Sequence, residues 1–460
     1  MPVIAQSQGE TLRLVIDPGD DEINLNPYTA SDSNSIIVMQ NLYEGLFQYD
    51  PSTSEAIPAI AKEYTVSEDG LTWTFILRDA RFSDGSQITA STFLESWSYM
   101  INGPLGSNLD FVKRTDLGDL DIQTPNSQTL VVHLKHEVPY LPSLLCQPCL
   151  AAIKDKVSYS GPYKLISQSQ DIIRLRRNPY YWDNVGTDFV EILFGEGSTE
   201  ALLSGEVQWS LAPIDDASDY MTISKLYATT FFYFSAESGA YADENIRKAL
   251  ISVIPWDIIR SLQGSLLESS SLVPDSNATV MISNDVISLL EQGGYPYGQK
   301  PLPMINMAVT RGAQNATVAE LIAELWSKTL GVTVTLSTVP ITVFASNPKS
   351  NPYDFCTITW IGDYFDPMAF LSMFKSDSSY NISNYSDPNY DLLLDLAQKA
   401  TDQVTRQSLL LKAEEVLLNS GAVIPMSTAF ATNFVRKDLI SGWETNPLDI
   451  HPLKYITFNK

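Results

Sequence analysis

The sequence predicts an α/β protein of two or three domains, and three observations carry this. Its 460 residues exceed what one hydrophobic core organises. Hydrophobic residues make up 44% and charged residues 18%, apolar enough to fill sizeable cores rather than stay disordered. Beyond residue 228, segments with a two-residue apolar period alternate with segments of helical period, the pattern of strands and helices packed in layers.

Leu12, Leu14 and Ile16 alternate as a strand. After the turn-rich Asp17 to Pro27, helical spacing begins behind Ser33 or Asn34, either able to cap, with Ile36, Met39, Tyr43 and Leu46 as the buried stripe. Residues 57–88 read as β-rich: Leu71, Trp73, Phe75 and Leu77 alternate between two turn signals, Glu68-Asp69-Gly70 and Ser83-Asp84-Gly85. Thr89 caps a helix carrying Phe93, Trp97 and Met100. Strands follow at Leu130 to Leu134, at Ile173 and Leu175, and at Val190 to Phe194. Ala201 to Gly205 reads as a short helix ended by glycine, and Val207 and Trp209 open the next strand.

The next break falls near residue 228. Phe231 to Phe234 form an aromatic strand. Asp243 caps one helix and Asn315 another, which Gly331 stops before a strand through Val332, Val334 and Leu336. Asp387-Pro388 and Asp402 start two further helices. Residues 433–460 return to a strand-like pattern.

One stretch, Asp354 to Phe374, combines a strand, a polar gap and a helix. Phe355 to Trp360 suits a strand buried on both faces. Asp366 and Pro367 read as N-cap and first helical residue, ahead of Phe370, Leu371 and Phe374. Asp363 lies in the gap beside aromatics, where a carboxylate can meet a cationic ligand group or serve as a solvated or capping residue.

A formal charge of −25 without a Lys/Arg cluster opposes nucleic acid and anionic lipid. No segment has the apolar length to cross a bilayer. With 22 Tyr and 8 Trp, aromatic residues suffice to line a binding cleft as well as to fill cores. Three histidines supply a metal or nucleophile site poorly, and no cofactor is expected. Cys146 and Cys149 form a C-x-x-C that reads as small buried hydrophobes, with a disulfide or metal as the alternative. No phosphate-loop, zinc-protease, hydrolase-elbow or dinucleotide motif occurs. Asp215-Asp216 reads as a turn, and an acid hydrolase built on such pairs is the enzymatic alternative.

Taken in order, several weak motifs form a strong set. They are Leu25-Asn26-Pro27, Asn41-Leu42-Tyr43-Glu44-Gly45-Leu46, Ile57 to Ala61, Ser67 to Phe75, Arg81 to Gly85, Gly161-Pro162-Tyr163, Arg177 to Trp182, Gly205-Glu206, Ile246 to Leu250, and Trp360-Ile361-Gly362-Asp363-Tyr364. The chain thereby resembles, over nearly its full length, the extracytoplasmic solute-binding proteins of peptide ABC transporters, the oligopeptide, dipeptide and nickel-binding family.

The resemblance implies a two-lobed periplasmic-binding-protein-like α/β fold with a hinge and an extra inserted α+β domain. Mapped onto this chain, the first lobe takes 1–40, 160–228 and 437–460, the inserted domain 41–159 and the second lobe 229–436. It implies a binding protein rather than an enzyme, a monomer that encloses a peptide between its lobes and presents it to membrane permease subunits. Its place would be the periplasm or the outer face of the membrane, with or without a lipid anchor. Met1 to Ala5 is not a signal peptide, and a leader removed before this numbering is compatible with that place.

The family's ligand residues map to Asp363 for the peptide's α-ammonium and to Trp360 and Ile361 as cleft lining. Ser31, Asp32 and Ser33 fall where relatives contact peptide backbone, and equally where the next helix needs a cap. Tyr233 on the crossing strand is a weaker candidate. Three features depart from the family. Pro348 and Thr357 stand where arginines for the peptide carboxylate are expected, leaving Lys349 or Arg311 as substitutes. The segment from Leu150 to Ser160 is short, and Pro255-Trp256 replaces an acidic-basic pair. A peptide of unusual length, or another amine, fits these departures. A sensory or adhesion lipoprotein of the same fold is the non-transport alternative.

Overall fold

The computed structural model describes residues 10–460 except 18–21, 31, 238, 263–266, 282–284, 311–312, 341, 346–351, 363, 379 and 401. The chain forms two compact units, Met1–Ser224 with Ala431–Lys460, and Lys225–Phe430.

The first unit opens with β1 (Thr11–Ile16), whose alternating Leu12, Leu14 and Ile16 are fully buried. Helix α1 (Ser33–Leu42) is capped by Asp32, not by Ser33 or Asn34: the Asp32 carboxylate accepts the Ser35 N–H at 2.8 Å. The cap lies one residue earlier than expected because a carboxylate there serves the N3 donor directly. The buried face shifts with it, to Ser35, Val38, Met39 and Leu42. Tyr43 and Leu46 are buried from the extended chain beyond the helix, and Ile36 is only half-buried.

Strands β2 (Phe47–Tyr49) and β3 (Ala56–Pro58) form a hairpin. A separate antiparallel sheet follows, built from β4 (Ala61–Val66), β5 (Thr72–Leu77), β6 (Ile122–Asn126) and β7 (Thr129–His133) in the order β4-β5-β7-β6. Trp73, Phe75 and Leu77 face its core, as their alternation predicts. Helix α1 is followed by α2 (Ala90–Met100), which starts with a Thr89–Thr92 capping box and buries Phe93, Trp97 and Met100 completely. Its Trp97 Nε1 donates to the Leu150 carbonyl at 2.9 Å. Helix α3 (Leu141–Leu144) leads to Cys146 and Cys149, both buried. The Cys146 thiol donates to the Pro142 carbonyl, and Asn108 donates to the Cys149 sulfur.

The unit's main sheet uses β8 (Tyr163–Gln168), β9 (Ile172–Arg177), β10 (Phe189–Phe194) and β11 (Trp209–Ser210). The first three run antiparallel, and β1 lies parallel between β10 and β11. Helix α4 (Thr199–Ser204) ends at Gly205 in the left-handed region.

Strand β12 (Met221–Phe234) carries the chain into the second unit, where Phe231, Phe232, Tyr233 and Phe234 are buried. Helix α5 (Glu244–Ser252) is capped by Asp243 as predicted. Next come α6 (Trp256–Ser261), β13 (Leu267–Glu268), α7 (Val286–Gln292) and β14 (Ile305–Thr310). Helix α8 (Ala313–Leu330) already includes Asn315, which therefore is not its cap; the good helix formers Ala313 and Gln314 extend it toward the N-terminus. The unit continues through β15 (Val334–Val339), α9 (Thr342–Ala345), β16 (Phe355–Ile361) and α10 (Met368–Leu371). Helices α11 (Pro388–Gln398) and α12 (Gln403–Asn419) start at Asp387 and Asp402, as predicted.

Strand β17 (Val423–Val435) returns the chain to the first unit. Within the second unit the strand order is β15-β14-β16-β12-β17, with β13 on β17. The strand-like pattern expected for 433–460 belongs mostly to β17, ten residues earlier. Its Val423, Ile424 and Met426 are buried without alternation, and Pro425 masks the strand signal. After it only β18 (Ile440–Ser441) and β19 (Thr457–Phe458) pair, as an antiparallel bridge.

Gly442 follows β18 with φ +82°, and a Cβ there would lie 2.0 Å from the Tyr455 carbonyl oxygen. Both the backbone region and the contact exclude a side chain. Gly442→Ala is expected to cost about 1–3 kcal/mol, measured by urea unfolding; an unchanged midpoint would show that the 442–455 approach relaxes freely.

Candidate functional site

In the second unit, β16 lies between β12 and β14. It runs antiparallel to β12, with Ile361 opposite Ala228 and Trp360 opposite Thr229, and parallel to β14. Phe355, Cys356 and Thr357 are fully buried, whereas Thr359 is exposed and Trp360 and Ile361 are half-buried. The strand is therefore buried at its start and emerges at its end, so its last residues can meet a ligand while its first ones anchor them.

Beyond the strand, Gly362 and the residues from Phe365 onward are held by specific contacts. Gly362 N–H donates to the Tyr227 carbonyl at 2.9 Å. A Cβ on Gly362 would stand 2.8 Å from the Tyr227 ring and 3.0 Å from that of Phe370, so the glycine allows the rings to close over the backbone. Tyr227 stacks on Phe365 at 4.8 Å and meets Phe370 edge-on at 5.2 Å. Burial pushes its phenol up. The Trp360 indole N–H donates to the Ala369 carbonyl at 2.9 Å, tying the strand end to α10.

Asp366 accepts the Met368 N–H at 2.9 Å, but the cap position falls one residue later than expected, on Pro367, which precedes the helix rather than opening it. Its carboxylate is also gripped by both terminal nitrogens of Arg406, at 2.7 and 2.8 Å. The two side chains are 13% and 6% exposed. This bidentate pair fixes Asp366 to α12. Sequence reasoning missed Arg406, since nothing local marks a partner 40 residues away.

Of the residues predicted for ligand contact here, Trp360 and Ile361 fall together at the strand end. Asp363 lies outside the described residues. Tyr233 is completely buried, opposite Cys356, with its ring against Phe231 and Phe344, a packing position. Thr357 satisfies its hydroxyl on the Phe231 carbonyl at 3.1 Å. Arg311, Pro348 and Lys349 lie outside the described residues. In the first unit, Asp32 is committed to capping α1, Ser33 is its exposed first residue, and Ser31 lies outside the description.

The first unit gathers several of the sequence motifs in one buried cluster. Glu44, just past α1, receives the Tyr181 hydroxyl on one oxygen and Trp182 Nε1 on the other at 2.5 Å. Lys454 donates to the Tyr181 hydroxyl at 3.0 Å and to Asp183 at 3.1 Å, and the Arg78 guanidinium lies 3.6 Å over the Trp182 ring. The cluster borders a cavity of about 40 Å³, room for water only.

Burial is the largest influence on Glu44 and raises its pKa from 4.5; Lys454, Tyr181, Trp182 and Arg78 pull the other way. A carboxyl with a raised folded pKa contributes stability that is complete below the unfolded value and is lost as pH rises through the folded one. Glu44→Gln should therefore flatten the fall in stability between pH 5 and 7.5, by at most about 1.4 kcal/mol per pH unit for one proton. Urea unfolding at both pH values checks this. Glu414, buried and also raised by burial, accepts Leu272 N–H at 2.8 Å and Val273 N–H at 2.9 Å, and it retains part of the slope in the variant.

Among the described residues, no group of three or more His, Cys, Asp or Glu is placed to hold a metal ion. No helix among them is long and apolar enough to cross a membrane.

Comparison with known proteins places these features in context. Residues 55–381 match the family model described as bacterial extracellular solute-binding proteins, family 5, middle region. The chain is 26% identical to the oligopeptide-binding protein OppA of Bacillus subtilis, over 91% of this chain and 88% of that protein. It is likewise 26% identical to the periplasmic oligopeptide-binding protein OppA of Salmonella typhimurium, over 94% and 88%. Among solved structures, the Escherichia coli murein tripeptide binding protein MppA superposes with a TM-score of 0.86 at 22% identity, covering 99% of both chains. Haemophilus influenzae OppA in complex with RPPGFSPFR gives 0.85 at 22% identity, covering 98% and 99%. The mixed α/β fold is thus that of the two-lobed periplasmic peptide-binding proteins.

Proposed function

Because the chain belongs to family 5 of the bacterial extracellular solute-binding proteins, we propose that it captures a peptide outside the cytoplasm and delivers it to the permease of an ABC transporter. The observation that carries this is near full-length similarity to proteins named for oligopeptide binding, in two organisms. The family is one of binding proteins, so the chain carries out no chemistry of its own.

In this reading Asp363 takes the peptide's α-ammonium, a charge-assisted contact that gains strength where water is excluded. Trp360 and Ile361 lie on the emerging end of β16, where an extended peptide finds both backbone groups and an aromatic wall. Supporting this reading, Gly362 is held on Tyr227 and Asp366 on Arg406. Ser31 and Ser33 are the polar groups left for peptide backbone in the first unit, since Asp32 is engaged as a cap. The protein acts as a monomer in the periplasm or on the outer face of the membrane.

Native mass spectrometry of the purified protein, followed by gentle denaturation, tests the reading. A co-purifying mixture of peptides is expected. A protein that releases none, and gives no heat with a random tripeptide-to-pentapeptide library, would overturn it.

A further inference from the structure

The second unit contains a cavity of about 340 Å³, within the size range of small-ligand sites. Its wall combines Trp256 and Arg260 of α6, Ser270, Thr279, Leu418 and Ile424. It is remote from the Trp360 end of β16. Ile361 sits opposite Ala228, whereas Ala422, next to the cavity, accepts a hydrogen bond from Phe234. Six residues of strand separate the two levels, roughly 20 Å.

The unusual member of the wall is Arg260. Its side chain is only 12% exposed. Nε donates to the Pro425 carbonyl at 3.1 Å. The ion pair from Nη1 to Asp257 is 3.6 Å long, beyond hydrogen-bond range, and that carboxylate is fully exposed. A guanidinium carries five N–H donors. Among the described residues, one of them has a hydrogen-bond partner. Burial lowers the Arg260 pKa, and the opposing acids are Asp257 and Glu268, both exposed. The unspent terminal N–H groups are reached by solvent, and on the cavity wall an incoming acceptor can take them.

We propose that this cavity binds a small carboxylate with a short apolar tail. The guanidinium takes the carboxylate in a two-pronged contact and displaces the loose Asp257 pair. The exposed Ser270 and Thr279 hydroxyls are placed to complete its hydrogen bonding, and Trp256, Leu418 and Ile424 receive the tail. The site is separate from the one assigned to peptide and does not depend on that assignment.

Hexanoate is the probe, titrated by saturation-transfer NMR with the full chain. Saturable binding is expected, at least tenfold weaker for hexanol, which keeps a tail but lacks the charge. Arg260→Gln should weaken hexanoate at least tenfold, and Arg260→Lys should fall between, since one ammonium replaces a fork. Thr279→Trp, on the exposed rim, fills the mouth without entering the core; it should abolish hexanoate binding while peptide binding persists. This variant decides the matter if Arg260→Gln does not fold. Non-saturable binding, equal affinity for hexanol, or unchanged affinity in Thr279→Trp would each overturn the proposal.

Discussion

Asp363→Ala is expected to weaken peptide binding by about thirtyfold to several thousandfold, because truncating one partner of a desolvated charge pair costs about 2–5 kcal/mol. Much of that cost is the ammonium left buried without a counter-charge rather than the contact itself. Asp363→Asn should recover part of it, since an amide oxygen still accepts a hydrogen bond. Titration calorimetry with a defined peptide, beside thermal unfolding, separates the loss of affinity from loss of fold. Equal affinity in the alanine variant would remove Asp363 from the ligand site and leave Trp360 and Ile361 without their charged neighbour.

The second large effect is on stability. Arg406→Ala should destabilise the protein by about 3–5 kcal/mol, the cost of breaking a buried pair by removing one side. Asp366 would keep the Met368 N–H but lose both guanidinium contacts. Arg406→Lys keeps the charge and forfeits the two-pronged geometry, so it should lie between. The informative readout is double: unfolding free energy, and peptide affinity at a temperature where the variant is folded. A loss of affinity there would show that the brace on α12 also orients the 361–367 segment. A stability change below 1 kcal/mol would mean the pair behaves like a surface ion pair.

Local pattern made much of this legible in advance. Asp243, Asp387 and Asp402 mark helix starts because a short carboxylate ahead of an apolar stripe solves a problem confined to one turn. The strand from Phe355 was readable from its run of β-branched and aromatic residues, but burial on both faces holds only for Phe355 to Ile358, since Thr359 is exposed and Trp360 and Ile361 are half-buried. The errors share a cause as well. Asn315 was read as a cap when residues before it extend the helix, and the long β17 was displaced because Pro425 breaks the expected signal. The Arg406–Asp366 pair and the Lys454–Tyr181–Glu44 cluster had no local signature. They join positions whose neighbourhood exists only after folding. The motif set did contain Glu44, Tyr181 and Trp182, but as separate weak matches; the structure shows that they touch.

That cluster has a consequence for the order in which the protein is made. The second unit is one continuous segment, Lys225–Phe430, and all of its strands and helices are available once that segment has been synthesised. The first unit is not. Its β11 needs Phe434 and Val435 as partners, and its buried Glu44 needs Lys454. Translation proceeds from the N-terminus, so the unit that begins first finishes last. Until the final thirty or so residues emerge, more than two hundred earlier ones wait with an unclosed sheet and an uncompensated carboxylate. Such a nascent chain stays open long after its first strand exists.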